Sequence, residues 1–167
     1  DTRRLGGVPA KEYQRHWTNV VTVAMNGEGA DHGDIAAAIT DAAGRASVGQ
    51  RYTVLVAPGT YPGGFSSAAN VDLVGIDRDG CVIMGGTYAI FHDTLLENFT
   101  FDVGGMTAID VQAGRPLLNN VRIVAATTGV NVMMGAHPTL FNIEAECDLA
   151  VSDAGGAIID GLRAQNQ

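Results

Sequence analysis

Three stretches of the chain carry the same order of apolar and polar positions. They are Leu96-Glu97-Asn98-Phe99-Thr100-Phe101, Leu118-Asn119-Asn120-Val121-Arg122-Ile123 and Leu140-Phe141-Asn142-Ile143-Glu144-Ala145. Each begins 22 residues after the last, and Pro116 and Pro138 keep the same period. A fixed period of this length marks a solenoid, in which each repeat is one coil and neighbours bury each other's apolar side. Between the leucine stretches lie shorter apolar runs: Ala89–Phe91, Ala108–Val111, Gly129–Val132 and Leu149–Val151. They are too short for helices, are bounded by Gly, Asp, Asn and Pro, and several alternate apolar with polar, so they read as strands. One period therefore holds at least two strands separated by bends.

Stacked coils would pair each strand in parallel with its equivalent, about 4.8 Å away. Leu96, Leu118 and Leu140 then form one interior column, and Phe99, Val121 and Ile143 a second. Asn98, Asn120 and Asn142 form a ladder, each amide bonding the next coil. Gly85-Gly86, Gly104-Gly105 and Gly155-Gly156 read as bends. Arg122 and Glu144, one period apart, predict a cross-coil ion pair on the outer surface. A leucine-rich repeat is the rival solenoid, but the second half of each period here is Gly-rich and strand-like rather than helical.

Earlier in the chain, Val20–Ala24 predicts a strand and 27–33 a loop. Asp34 to Ala43 predicts an amphipathic helix with Asp34 as N-cap and Gly44 as its stop. Ile35, Ala38, Ile39 and Ala42 share one face of it. Strands follow at Tyr52–Ala57, ended by Pro58-Gly59, at Val71–Ile76 and at Cys81–Met84. From Tyr52 onward the length allows about five coils.

This order of elements, with Val-Leu-Val-Ala-Pro-Gly-Thr-Tyr at 54–61 and Leu-Val-Gly at 73–75, resembles the opening of the pectin-lyase-like superfamily. The resemblance covers residues 20–164. It implies an all-β fold, a right-handed single-stranded parallel β-helix of about 22 residues per turn, with an N-terminal helix capping the open end. It implies no single activity, because that superfamily spans lyases, esterases, tail spikes, adhesins and inert fibres. The expected division is an attachment or oligomerisation arm at 1–19, a capping strand and helix at 20–51 and the β-helix at 52–167.

Residues 1–19 differ from the rest and hold four of the ten basic residues: Arg3, Arg4, Lys11 and Arg15. Regular periodicity is absent until Pro9, after which Ala10 to Trp17 predicts a short helix. The Leu5-Gly6-Gly7 run, followed by a small residue and Tyr13, resembles a stretch of bacteriophage tail fibre and tail spike proteins. There it lies at the junction with the particle-attached part. The chain opens Asp1-Thr2-Arg3-Arg4, which is not a signal peptide, and the absence of a first Met suggests a trimmed or partial chain. No C-terminal cap is evident after Ile158–Leu162, so a partner, the polar tail or further chain is expected to cover that end.

Composition narrows the partners. The net charge is −8 and the isoelectric point about 4.7, which disfavours nucleic acid. No apolar run reaches the length of a membrane span. Cys81 and Cys147 lie three periods apart, roughly 14 Å along the axis if they are in phase, beyond disulfide reach. Both are expected to be free, mostly buried thiols. No cofactor or metal motif is found.

Candidate chemistry is sparse. His92-Asp93-Thr94-Leu95 and Gly114-Arg115-Pro116 are similar to pectin methylesterase motifs. The first position is His rather than Gln, no second carboxylate follows one turn on, and Gly-Arg-Pro comes too early. Asp77 and Asp79 read as a turn rather than a calcium site. Glycoside hydrolysis needs two carboxylates facing one groove. Asp93, Glu97 and Asp102 are the neighbours to test, whereas Asp110, Asp148 and Asp153 are scattered. His16, His32, His92 and His137 share no acid–base or metal spacing. No catalytic set is assigned, and carbohydrate-binding residues are unknown.

The leading expectation is a structural or adhesion component of a phage tail fibre or spike. It would be a homo-oligomer, a trimer by the resemblance, joined to other tail proteins through residues 1–19, with host-surface polysaccharide as an outer-face partner. Its place would be the virion tail, outside the cell. One alternative is a polysaccharide-degrading or de-esterifying enzyme of the same fold. Another is a secreted or cell-surface adhesin or filament subunit that is not viral.

Overall fold

The computed structural model describes residues 18–27 and 29–165, and the backbone of 4–5 and 8–9. The helix expected at 10–17 and most of the arm lie outside these. Arg4–Leu5 (β1) and Val8–Pro9 (β2) pair antiparallel, in a stretch whose pattern predicts no regular element.

The rest is a parallel β-solenoid of about five turns with about 21 residues in each. Each coil presents up to three strand-bearing faces. Face A stacks Val20–Val23 (β3), Tyr52–Val56 (β4), Val71–Gly75 (β6), the first part of Leu95–Asp102 (β9), and the starts of Leu117–Val132 (β11), Thr139–Asp153 (β12) and Ile158–Gln165 (β13). Face B stacks Gly59–Pro62 (β5), Cys81–Met84 (β7) and the second part of β9, continuing into β11, β12 and β13. Face C stacks Tyr88–Ile90 (β8), Thr107–Val111 (β10) and the ends of β11 and β12. All of these pairings are parallel.

The registers define the interior columns. Val54, Leu73, Leu96, Leu118, Leu140 and Ile159 lie in line on face A. The strict sequence period holds only for the middle coils, Leu96 to Leu118 to Leu140. The step from Leu73 to Leu96 is slightly longer, and the steps from Val54 to Leu73 and from Leu140 to Ile159 are shorter. Tyr61, Ile83, Phe101, Ile123 and Ala145 form a face B column, and Tyr88, Ile109 and Val130 one on face C; all are buried. The strands from β3 to β12 each give buried residues to this one core, which is why no single repeat is stable without its neighbours.

The first coil is different. Val21 pairs with Val54, the longest step in the column. The intervening chain forms α1 (Ile35–Arg45), whose buried residues are Ile35, Ala38, Ile39 and Ala42, as its pattern predicts. It packs against β3 and β4 in place of the strands that faces B and C would carry. Asp34 is the N-cap, accepting the Ala37 N–H at 2.8 Å. The helix does not stop at Gly44. It continues to Arg45, and Ala46 is the C-cap in an extended conformation, with its N–H on the Ala42 carbonyl. Gly44 is therefore an ordinary helical residue.

Two further expectations change. The strands do not end at every bend: β11 and β12 run through 16 and 15 residues. A single residue in the left-handed region turns the corner while pairing continues on both sides. Asn98, Asn120 and Asn142 do so between faces A and B (φ 62°, 52° and 52°), and Ala125 (φ 54°) between B and C in β11. Cys81 and Cys147 are free and buried as expected, but they are not in phase. Val82 pairs with Thr100, so Cys81 belongs with Phe99, Val121 and Ile143, and Cys147 sits opposite Ala126 further along the coil.

Candidate functional site

The asparagine corner is the most regular polar feature. Asn142 Nδ2 donates to Asn120 Oδ1 at 2.9 Å, and Asn120 Nδ2 to Asn98 Oδ1 at 2.8 Å. Asn98 Nδ2 ends the series on the Gly75 carbonyl at 3.1 Å. Gly75 and Gly161 hold the equivalent corner positions below and above. Gly75 must be glycine, because a Cβ there would lie 2.2 Å from the Asn98 carbonyl oxygen. The ladder stabilises the corner and binds coil to coil, and its amide atoms are largely spent on one another.

The three neighbouring carboxylates are not gathered into one groove. Asp93 lies in the corner leading to face A, where its Oδ1 accepts the Arg115 N–H of the next coil at 2.7 Å. Glu97 points outward on face A and holds Asn119 Nδ2 at 2.6 Å. Asp102 lies beyond the Asn98 corner, on face B. Asp110 accepts from Asn131 Nδ2 at 2.9 Å and from Gln112. Asp153 closes a turn by accepting the N–H groups of Gly155, Gly156 and Ala157. The Ala157 N–H first, then the other two, hold its carboxyl below the ordinary range. Asp148 is exposed at the bend before the face C part of β12.

The histidines are equally dispersed. His32 Nε2 meets Asp41 Oδ2 at 3.0 Å, and this bond, followed by the charge of Arg45, lowers the Asp41 pKa. His92 Nδ1 lies 3.3 Å from Ser67 Oγ. His137 is exposed in the corner above Arg115, and His16 falls outside the described residues. Burial pushes both thiols up, away from reactive thiolate.

Face B carries a charge network. The expected Arg122–Glu144 pair is present but long, at 3.9 Å; the short partner of Arg122 is Glu146, at 2.9 Å. Glu144 instead turns toward Arg78, which reaches it at 3.3 Å from the loop before β7. Directly opposed side chains in a parallel stack have competing neighbours above and below, so the strict register partner need not win. The bond to Glu146 is the main reason that the Arg122 pKa rises.

Face A mixes outward charges, among them Asp72, Glu97 and Asp160, with exposed apolar residues that sequence reasoning missed. Its outward positions include Leu117 and Phe141, 41% and 48% exposed, and Ile158. Phe91, Met133 and Met134 are exposed in the corner that leads into the face, Met134 at 85%. The signal was available: Leu95-Leu96, Leu117-Leu118 and Ile158-Ile159 each place two large apolar residues in succession, and a strand can bury only one of two.

No family model, curated protein or solved structure matches the chain. The fold defines a class, the parallel β-solenoid proteins. Among the described residues no three metal-ligating side chains come together, and no helix is long and apolar enough to cross a membrane.

Proposed function

We propose that this chain is a structural or adhesion component of an elongated assembly of the phage tail fibre or spike type. It acts as a rigid solenoid, joined to its neighbours through residues 1–19, in a trimer on the virion tail. The observation that carries this reading is where the outward polar groups go. Asn98, Asn120 and Asn142, Glu97 with Asn119, Asp93 with the Arg115 backbone, and Arg78, Arg122, Glu144 and Glu146 all link one coil to another. Groups used in this way stiffen a rod. The tail-protein-like leader and its charge add support. It holds four of ten basic residues but only Asp1 and Glu12 of eighteen acidic ones, so it complements an acidic body. Host-surface glycan is the partner proposed for the outer faces.

The test is the native mass by light scattering after size exclusion, for residues 1–167 and for a chain lacking 1–19. A trimer that weakens without the arm is the expected result. A monomer in both forms at tens of micromolar would overturn the reading. It would move attention to cleavage of bacterial capsule or pectin-like polymer, with Asp93, Glu97 and Asp102 as the groups to substitute.

A further inference from the structure

We propose that Ser67 and His92 form a nucleophile–base pair that transfers short acyl groups from esters to water. This goes beyond the structural role proposed above and does not depend on it. Ser67 lies one coil below His92, directly after the Ser66–Ala89 bridge. Its own N–H is held on the Ala89 carbonyl at 2.8 Å, which fixes its place under the corner. Its Oγ accepts the Phe91 N–H at 3.0 Å and lies 3.3 Å from His92 Nδ1. The backbone already donates to that oxygen, and the hydroxyl proton goes to the ring in the tautomer protonated at Nε2. A serine donating to an imidazole is the arrangement of an activated nucleophile, and such contacts are often loose at rest and tighten once substrate binds.

A second observation points to acyl chemistry. The N–H of Ala68, next in the chain after Ser67, is in no hydrogen bond among the described residues. The backbone N–H that follows a nucleophile is a common donor to the oxyanion of an acyl intermediate. Access sets the size of the acyl group. Ser67 is 8% exposed, so the acyl chain must be short, an acetyl ester being the type case. His92 is partly buried and Phe91 beside it is exposed, which leaves the open corner to the alcohol part. In the first step Ser67 Oγ bonds to the carbonyl carbon, its proton passes to His92 Nδ1, and the alcohol leaves with that proton. Water then bonds to the same carbon and gives a proton to His92. Ser67 Oγ leaves, takes that proton back, and the acid is released. Neither step uses Asp93, Glu97 or Asp102.

The experiment follows hydrolysis of p-nitrophenyl acetate by the full chain, with peptide mass spectrometry of acid-quenched samples. Turnover above buffer and an acetyl group on Ser67 are the expected results. Phenylmethanesulfonyl fluoride should label Ser67 and abolish both. Ser67→Ala and His92→Gln should each lower turnover at least about a hundredfold, the lower end of general-base catalysis. The double variant should fall no further, because members of one catalytic unit are not additive. Glutamine still offers the serine an acceptor, so it keeps the tie between coils and removes only the base. Ser66→Ala, at the exposed serine beside it, should leave turnover unchanged. The labelling uses only the parent chain and decides the matter even if a variant fails to fold. Turnover no faster than buffer, a label elsewhere than Ser67, or single variants within about twofold of the parent would overturn the pair. A trimer without turnover overturns this pair and leaves the structural role standing, whereas a monomer with turnover does the reverse.

Discussion

Substituting Asn120 tests whether the corner ladder holds the solenoid together. Asn120 does two things. Its amide bridges Asn98 and Asn142 through hydrogen bonds of 2.8 and 2.9 Å, and its backbone sits at φ 52°. Alanine loses both bonds and places a Cβ residue in the left-handed region. Glycine loses both bonds but turns the corner without strain. A hydrogen bond contributes about 0.5–1.5 kcal/mol net, and this corner is partly exposed, so two bonds in the lower half of that range give about 1–2 kcal/mol. Left-handed backbone costs an L-residue about 1–2 kcal/mol, part of which asparagine already bears. Glycine avoids that but loses about 0.5–1 kcal/mol through the freedom of the unfolded chain. Asn120→Ala should therefore destabilise by about 2–3 kcal/mol and Asn120→Gly by about 1.5–2.5 kcal/mol. Urea unfolding followed by circular dichroism measures both, and an unchanged m-value shows that the folded state still buries the same surface. The ladder is decoration if Asn120→Ala lies within about 0.5 kcal/mol of the parent, the least that one net hydrogen bond contributes. Asn120→Gly more stable than the parent would refute it equally.

Gly161 ends the same corner series at φ 74°, and a Cβ there would meet Asn142 N at 3.4 Å; Gly161→Asn should extend the ladder and raise stability by about 0.5 kcal/mol in urea unfolding. Ala125 is the lone alanine at a left-handed corner among the described residues, with φ 54°, so Ala125→Gly should stabilise by about 0.5 kcal/mol, measured in the same way. Gly63→Ala would put a Cβ 1.7 Å from the Gly85 carbonyl oxygen and should cost at least about 3 kcal/mol, seen as loss of the cooperative transition or a large fall in its midpoint. The Asp153 carboxyl has its pKa lowered by three backbone N–H groups, so its contribution is present above the unfolded value of about 3.9 and disappears as pH falls through the folded one. Asp153→Asn should thus melt below the parent at pH 7, and the gap should close in acid; a gap that widens below about pH 4 would refute the linkage.

The middle coils are legible in the sequence because three copies at one period fix the phase of every column. Leu96, Leu118 and Leu140, and the asparagines two positions on, need only the solenoid premise. The ends are not legible, for a physical reason. An insertion at a corner changes the interval without disturbing the strands, so Val54 to Leu73 and Leu140 to Ile159 close in fewer residues than Leu73 to Leu96. A spacing of three full periods therefore does not put Cys81 in phase with Cys147. The partner of Arg122 escapes the period because a side chain as long as arginine reaches past its register neighbour. The end of α1 escapes it because composition marks Gly44 but not its φ. The apolar residues of face A go unseen because attention rests on the inward leucines, although alternation places Leu95 and Leu117 outward once Leu96 and Leu118 are inside.

That last point bears on what the molecule does. A solenoid whose outer side chains are bonded along its axis has little left to offer laterally, and the residues that remain uncommitted are the informative ones. Here they divide by face. Face B pairs Arg78, Arg122, Glu144 and Glu146 with one another, beside an exposed Met84. Face A leaves Leu117, Phe141 and Ile158 exposed, with Phe141 in one outward column with Glu97, Asn119 and Asp160. Outward leucine and phenylalanine do not stabilise a lone coil, since water stays on one side of them in both folded and unfolded chains. They gain free energy only when something covers them. A cleaving enzyme would be expected to concentrate its carboxylates in a cleft, whereas here Asp93 and Glu97 are tied to the next coil and Asp102 lies around a corner. The side chains that water covers poorly and the carboxylates that are spent on the fold both support the structural role proposed above.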